Sequence, residues 1–190
     1  MEGQNLEVVS STKLLGKIIS EDLKWDKNIN SIIKKAYARM QLIKKIICFN
    51  PPKEDLITIY ISFIRSLLEQ SCVVWNSMLT EQNINDLERV QKTVLKLILK
   101  NEYLDYNNAL LKLDLPTLSQ RRKYLCENFA LKNINNEKMK HHFRENPNLH
   151  NMTTKNPEKY MVSFAYTERL KNSPVIYMQK LLNQKHMKIG

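Results

Sequence analysis

Apolar residues at Ile29, Ile33, Ala36, Met40, Ile43 and Ile47 recur in steps of four and three, the interval that aligns side chains along one side of an α-helix. The pattern predicts a helix over 29–47 with one buried stripe. Pro51 and Pro52 end it, because proline excludes helical geometry at the residue before it and has no N–H to donate. Over 53–74 the pattern changes: Leu56, Ile57, Ile59, Tyr60, Ile61, Phe63, Ile64, Leu67 and Leu68 cover nearly every side. A helix of that kind has to be surrounded by others. It is expected at the centre of a bundle, with Phe63 and Leu67 deep in the core.

A third helix is predicted over 80–100, with Thr80 as N-cap and Leu87, Val90, Val94, Leu97 and Ile98 facing in. A short one over 106–113 precedes Pro116, and another runs from Thr117 or Ser119 to about 134. Near the end, Ser173 caps a helix whose first turn holds Pro174 and whose inner face carries Val175, Met178 and Leu182. At the start, 6–9 and 14–19 are short β-prone runs around Ser10-Ser11-Thr12-Lys13, which predicts a hairpin turning at those four residues. A lone hairpin is marginal in water, so it is expected to complete a larger sheet. The stretch 135–160, rich in Asn and charge, is expected as a polar connection. The fold class is therefore mainly α: a bundle of about five helices with a small N-terminal β hairpin and a loosely ordered C-terminal segment. The expected divisions are 1–24 for the hairpin, 25–134 for the bundle and 135–190 for the rest.

Charge adds a partner. Thirty Lys and Arg against 19 Asp and Glu leave a formal +11, which makes a polyanion the first ligand to consider. The polar start, Met1-Glu2-Gly3-Gln4-Asn5, predicts no secretory signal and an intracellular chain, in nucleus or cytoplasm. The sequon at Asn151-Met152-Thr153 is then a chance match. Cys48, Cys72 and Cys126 sit among apolar neighbours and read as buried thiols rather than a disulfide or redox group. Residues 56–75 are long enough to span a bilayer, but Arg65, Glu69 and Gln70 lie within them, which favours an interior helix and no membrane.

Catalytic chemistry finds little support. The four histidines, His141, His142, His150 and His186, stand at no zinc-ligand spacing with cysteine. Glycine occurs only at 3, 16 and 190, which excludes a phosphate-cradling loop and a nucleophile elbow. Asp22 and Asp26 read as helix caps, since two-metal chemistry needs a larger carboxylate cluster. The better candidates are cations at helical spacing: Lys27, Lys34 and Lys45 on one helix, and Arg89, Lys92, Lys96 and Lys100 on another, the second set spread over about 80° of the wheel. Long cationic side chains on a rigid helix suit phosphate contact rather than base reading. Arg122 falls on an apolar stripe with Leu118, Leu125 and Phe129, so its guanidinium is expected as a structural clamp paired with Glu88 or Glu69. Trp25 and Trp75 are expected in the core.

Several short stretches, taken in order, resemble one family. They are Leu15-Gly16 with Leu23-Lys24-Trp25; Pro51-Pro52 followed by Leu56, Tyr60, Ser62, Leu68-Glu69 and Val74-Trp75; Leu87-Glu88-Arg89-Val90-Gln91-Lys92; and Leu115-Pro116-Thr117-Leu118 with Arg121-Arg122. The series resembles the thumb and C-terminal region of the reverse transcriptases of non-LTR, LINE-like retrotransposons of the jockey kind. Asn28 stands where histidine is frequent in that family, Gln70 where an aromatic is common, and the Cys/His knuckle of some members is lacking. The resemblance implies a parent RNA-directed DNA polymerase working with magnesium, whose fingers and palm would be the partner of this region. It implies contact with the backbone of RNA or an RNA–DNA hybrid. No paired aspartates occur in the chain, so by this resemblance it is inactive alone and needs no cofactor of its own. An inactive remnant of such an element and a helical protein-interaction module are the competing expectations.

Overall fold

A computed structural model of the protein describes residues 9–147 and 158–189, with side chains described as far as Lys185 in the final helix. In chain order it contains strands β1 (Ser11–Leu14) and β2 (Lys17–Ser20) and helices α1 (Asp26–Ile47), α2 (Lys53–Ile59), α3 (Ser66–Glu69), α4 (Cys72–Trp75), α5 (Glu81–Leu99), α6 (Tyr106–Lys112), α7 (Leu118–Asn133), α8 (Glu168–Lys171) and α9 (Pro174–Ile189). A π-helical segment, Tyr60–Arg65, joins α2 to α3. The fold is thus mainly helical, with a small two-stranded antiparallel hairpin near the N-terminus.

The hairpin turns about four residues later than the β-prone runs indicated, at 15–16 instead of 10–13. Ser11 pairs with Ser20 and Leu14 with Lys17, which leaves Leu15 and Gly16 as the loop and makes the expected turn residues the first strand. Both loop residues have positive φ, 48° and 79°. A two-residue loop whose handedness matches strand twist demands that geometry, and glycine supplies half of it without strain. The expected strand residues 6–8 lie outside the described residues.

The chain forms two compact units, residues 1–68 with 79–113 and residues 69–78 with 114–190. This division falls elsewhere than at 24/25 and 134/135. The reason lies in α7, which packs on α4 and α9 and so joins the C-terminal residues to the short stretch around Trp75.

In the first unit α1 packs on α5, β2 and the π segment. Its buried stripe is Ile29, Ile32, Ala36, Met40 and Ile43, with Ile33 and Ile47 at the margin. The stretch 53–69 is not buried all round: Leu56, Tyr60, Ile64, Leu67 and Leu68 are interior, while Phe63 is 42% exposed. Arg39 covers that ring at 4.6 Å and donates to the Phe63 carbonyl at 2.6 Å. The hydroxyls of Thr58, Ser62 and Ser66, four residues apart, each donate to the carbonyl one turn back. Such bonds compete for helical acceptors and bend helices, and the widened Tyr60–Arg65 turn lies among them. By length and composition alone the helical stretch Lys53–Met78 is apolar enough to cross a membrane. Its continuity as an α-helix is broken by the π segment and by Ser71, whose φ is 56°.

In the second unit α7 begins with a reciprocal cap: Thr117 Oγ1 accepts from Gln120 N–H, and Gln120 Oε1 accepts from Thr117 N–H, each at 3.1 Å. Cys126, Ala130, Phe143, Tyr160, Met178, Leu181 and Leu182 form the core, with Phe129 and Tyr177 against it. Described residues on either side of 148–157 in the expected polar connection are tied down. Glu145 and Tyr160 form an antiparallel bridge, Asn183 both accepts from the Tyr160 N–H at 2.8 Å and donates to its carbonyl at 2.9 Å, and Gln179 accepts from the Ser163 N–H at 3.0 Å and donates to the His142 carbonyl at 2.7 Å. Two buried amides one helical turn apart on α9 thus satisfy backbone groups that have no sheet to join. Residues 148–157, including His150 and the sequon at Asn151, and the side chain of His186 lie outside the description.

Candidate nucleic-acid interface

Helix α5 carries the site. Thr80 caps it by accepting from Asn83 N–H at 3.2 Å, and Leu87, Val90, Val94, Leu95 and Ile98 are all buried. With that stripe fixed, the 3.6-residue period turns Arg89, Lys92 and Lys96 to the opposite, exposed side. Lys100 closes the helix with φ 49° and its own side chain exposed. Arg89, Lys92 and Lys96 therefore form an exposed row on one helix, with Lys100 exposed just beyond its last turn.

Aromatic rings lie under its middle. Lys92 Nζ sits 4.9 Å from the Tyr106 ring centroid and Lys96 Nζ 5.2 Å from that of Tyr103. The ring faces attract the ammonium groups and hold them beside Tyr106 and Tyr103. Arg89 differs, since its Nη1 lies 2.9 Å from Asp86 Oδ1 within the same helix.

A buried relay holds Tyr106 in position. The Tyr60 hydroxyl donates to Gln91 Oε1, Gln91 Nε2 donates to the Tyr106 hydroxyl at 3.0 Å, and that hydroxyl donates to Glu88 Oε2. Burial, and then the Glu88 carboxylate, push the Tyr106 phenol far above its ordinary value, so it stays protonated and remains a donor. The turn bearing Tyr103 is pinned from the other side by Glu102, bonded by both Lys112 and Lys53. Those two ammonium groups, Lys112 first, hold the Glu102 carboxyl down to about 2.

Lys27, Lys34 and Lys45 are all exposed on α1, on the side opposite its buried stripe. They form a second row on a second helix, and no bond or ring contact described here ties them to the α5 row. Asp22 and Asp26 do not cap α1. Asp22 Oδ1 accepts from Lys24 N–H at 3.0 Å in a local turn, Asp26 Oδ1 accepts from Asn83 Nδ2 at 2.7 Å, and the cap position is held by Trp25. Trp25 is only half-buried, and its enclosed indole N–H has no hydrogen-bond partner among the described residues. Trp75 is fully buried and donates to the Gln70 carbonyl at 3.1 Å.

Arg122 is completely buried, in the second unit, with Nε donating to Asn76 Oδ1 at 3.0 Å and its guanidinium 5.9 Å from the Trp75 ring centroid. Of the two carboxylates expected for it, Glu69 is bonded by Arg121 at 3.2 Å and Glu88 by Tyr106. The Asn76 amide and the Trp75 indole face are thus partners of this guanidinium that the expectation of a carboxylate clamp did not include. Cys48 is exposed, against the expectation of three buried thiols; Cys72 and Cys126 are buried.

Sequence reasoning passed over Tyr103, Tyr106, Tyr60 and Gln91. One signal was available: Glu88 and Gln91, three apart, fall on the apolar stripe of α5, and polar residues there require partners. Among the described residues no three His, Cys, Asp or Glu side chains gather as a metal-ligand group. No protein-family model matches the chain, and no curated protein or solved structure matches it.

Proposed function

We propose that this chain is the thumb and C-terminal part of a non-LTR retrotransposon reverse transcriptase, and that it grips the sugar–phosphate backbone of RNA or an RNA–DNA hybrid without catalysing synthesis. The observation that carries the reading is the exposed α5 row, in which Lys92 and Lys96 rest against the Tyr106 and Tyr103 rings. Backbone phosphates are evenly spaced anions, and a row of cations on one rigid helix engages them without regard to sequence. The ordered stretches of residues that resemble this family add to the reading.

Asp22 and Asp26 border a cavity of about 230 Å³ together with Lys24 and Lys27, and Asp26 is bonded to Asn83. On this reading magnesium belongs to the fingers and palm of the complete polymerase, the partner it requires. The setting is intracellular and off the membrane.

The test is the salt dependence of binding to a labelled RNA–DNA duplex. Each phosphate engaged contributes about 0.9 to the log–log slope, so a four-cation row gives a slope of roughly −3 to −4. Lys92→Glu with Lys96→Glu should lower both affinity and slope, the latter by about two. Binding by the double variant equal to that of the parent at every salt concentration would remove α5 from the interface.

A second reading, a helical protein-interaction module, is favoured by one observation: Leu14, Leu15 and Leu23 around the hairpin are 57%, 92% and 50% exposed. Self-association that rises with protein concentration in the absence of nucleic acid would support it.

A further inference from the structure

We propose that Cys72 and Cys126 form a reversible thiol–disulfide pair oxidised by hydroperoxides, with Cys72 as the attacking sulfur and Cys126 as the resolving one. The two residues are 54 apart in sequence, yet Cys126 Sγ lies 4.0 Å from the Cys72 carbonyl, and the side chains are 1% and 2% exposed. Ser71, with φ 56°, breaks the helical run immediately before Cys72, and α4 packs against α7 there. A close buried pair is what disulfide geometry needs, since bridged α-carbons stand no more than about 7 Å apart.

The surroundings distinguish the two sulfurs. The neighbouring Cys126 thiol, aided by the Arg122 charge and opposed by burial and Glu69, lowers the Cys72 thiol. The Cys72 side chain, with burial, pushes Cys126 up. Tyr177, raised mainly by burial and bonded to Asn76, closes the cluster and stays neutral. Cys72 is thus the more readily ionised of the two, and it, rather than Cys126, lines the adjoining cavity, the asymmetry of an attacking and a resolving cysteine. A cavity of about 330 Å³, lined by Glu69, Ser71, Cys72, Leu125, Phe129 and Lys132 among others, borders Cys72 and is the place where a peroxide would meet it.

The chemistry balances in two steps. The Cys72 thiolate attacks one peroxide oxygen; an S–O bond forms, the O–O bond breaks, and the departing hydroxide takes a proton to leave as water. Cys72, now a sulfenic acid, has lost two electrons to the peroxide. Cys126 sulfur then attacks Cys72 sulfur; the S–S bond forms, the S–O bond breaks, and the hydroxide leaves as water with the Cys126 proton. Two thiols and one hydrogen peroxide give one disulfide and two waters.

The full chain, natively folded, is treated with a few equivalents of hydrogen peroxide, quenched by alkylation and digested with trypsin. Peptides 66–89 and 124–132 should appear cross-linked and separate again with dithiothreitol. Exposed Cys48, in peptide 46–53, is the internal standard. In Cys126→Ser, and in Cys126→Ala should the serine variant not fold, dimedone should capture a sulfenic acid on Cys72 at least about tenfold faster than on Cys48. The cross-link in the unaltered protein depends on neither variant. Oxidation confined to Cys48, or Cys72 driven to sulfinic acid with no cross-linked peptide, would overturn the proposal.

Discussion

Tyr106 decides more than its position on a short helix suggests. Its ring supports Lys92, and its hydroxyl is the junction between Gln91 and Glu88. Phenylalanine at this position keeps the ring and deletes the junction, leaving Glu88, itself 9% exposed, short of a donor. Tyr106→Phe should therefore cost about 1–3 kcal/mol in urea unfolding while nearly preserving nucleic-acid affinity. The phenol also sets a pH limit. Its folded value lies above the unfolded one of about 10, so its contribution is complete below pH 10 and fades as pH rises, because the unfolded chain ionises first. Stability measured across pH 9 to 12 should fall more steeply in the parent than in Tyr106→Phe, and parallel curves would remove the residue from the alkaline transition. The sequence marks Glu88 and Gln91 as needing partners but does not name them, because Tyr60, Gln91 and Tyr106 come from three separate elements.

Helix positions were legible where one face is buried and misleading where composition is uniformly apolar. The stripes of α1 and α5 have a period that only one orientation satisfies, so their inner residues and their exposed lysines followed together. The stretch 53–69 has apolar residues on all sides, and periodicity cannot then say which side faces the core; packing against α1 and α5 chose Leu56, Tyr60, Ile64 and Leu68. Ile64→Ala, at a fully buried position, should cost about 2–5 kcal/mol. Phe63→Ala should cost only about 1 kcal/mol, mostly the loss of Arg39 over its ring. Equal losses at the two positions would mean that Phe63 is interior after all. The hairpin register was misjudged for a related reason, since Ser11-Thr12-Lys13 has turn composition but Leu15-Gly16 has turn geometry. Arg122 was legible as buried, and its bond to Asn76 was not, because that asparagine is brought to it by the stretch around Trp75.

At the scale of the whole molecule, each compact unit contains one of the two tryptophans, Trp25 in the first and Trp75 in the second. Units with separate cores need not melt together. Fluorescence of Trp25→Phe, which reports the second unit, and of Trp75→Phe, which reports the first, should give two different urea midpoints; coincident curves from both variants would indicate one cooperative body. Catalysis belongs to the same scale, because a two-metal centre needs carboxylates fixed around ions about 3.5 to 4 Å apart. Here Asp26 is engaged with Asn83, Asp22 lies beside Lys24, and both border a cavity shared with two lysines, so a cation entering it meets positive charge as well as negative. The purified chain should extend no primer with magnesium or manganese. If the proposed function holds, the chain mixed with a separate fingers and palm fragment, whose sheet would take up the β1–β2 hairpin, should acquire extension that Lys92→Glu with Lys96→Glu removes. Incorporation by this chain alone, abolished by Asp22→Asn with Asp26→Asn, would contradict the assignment of synthesis to the partner.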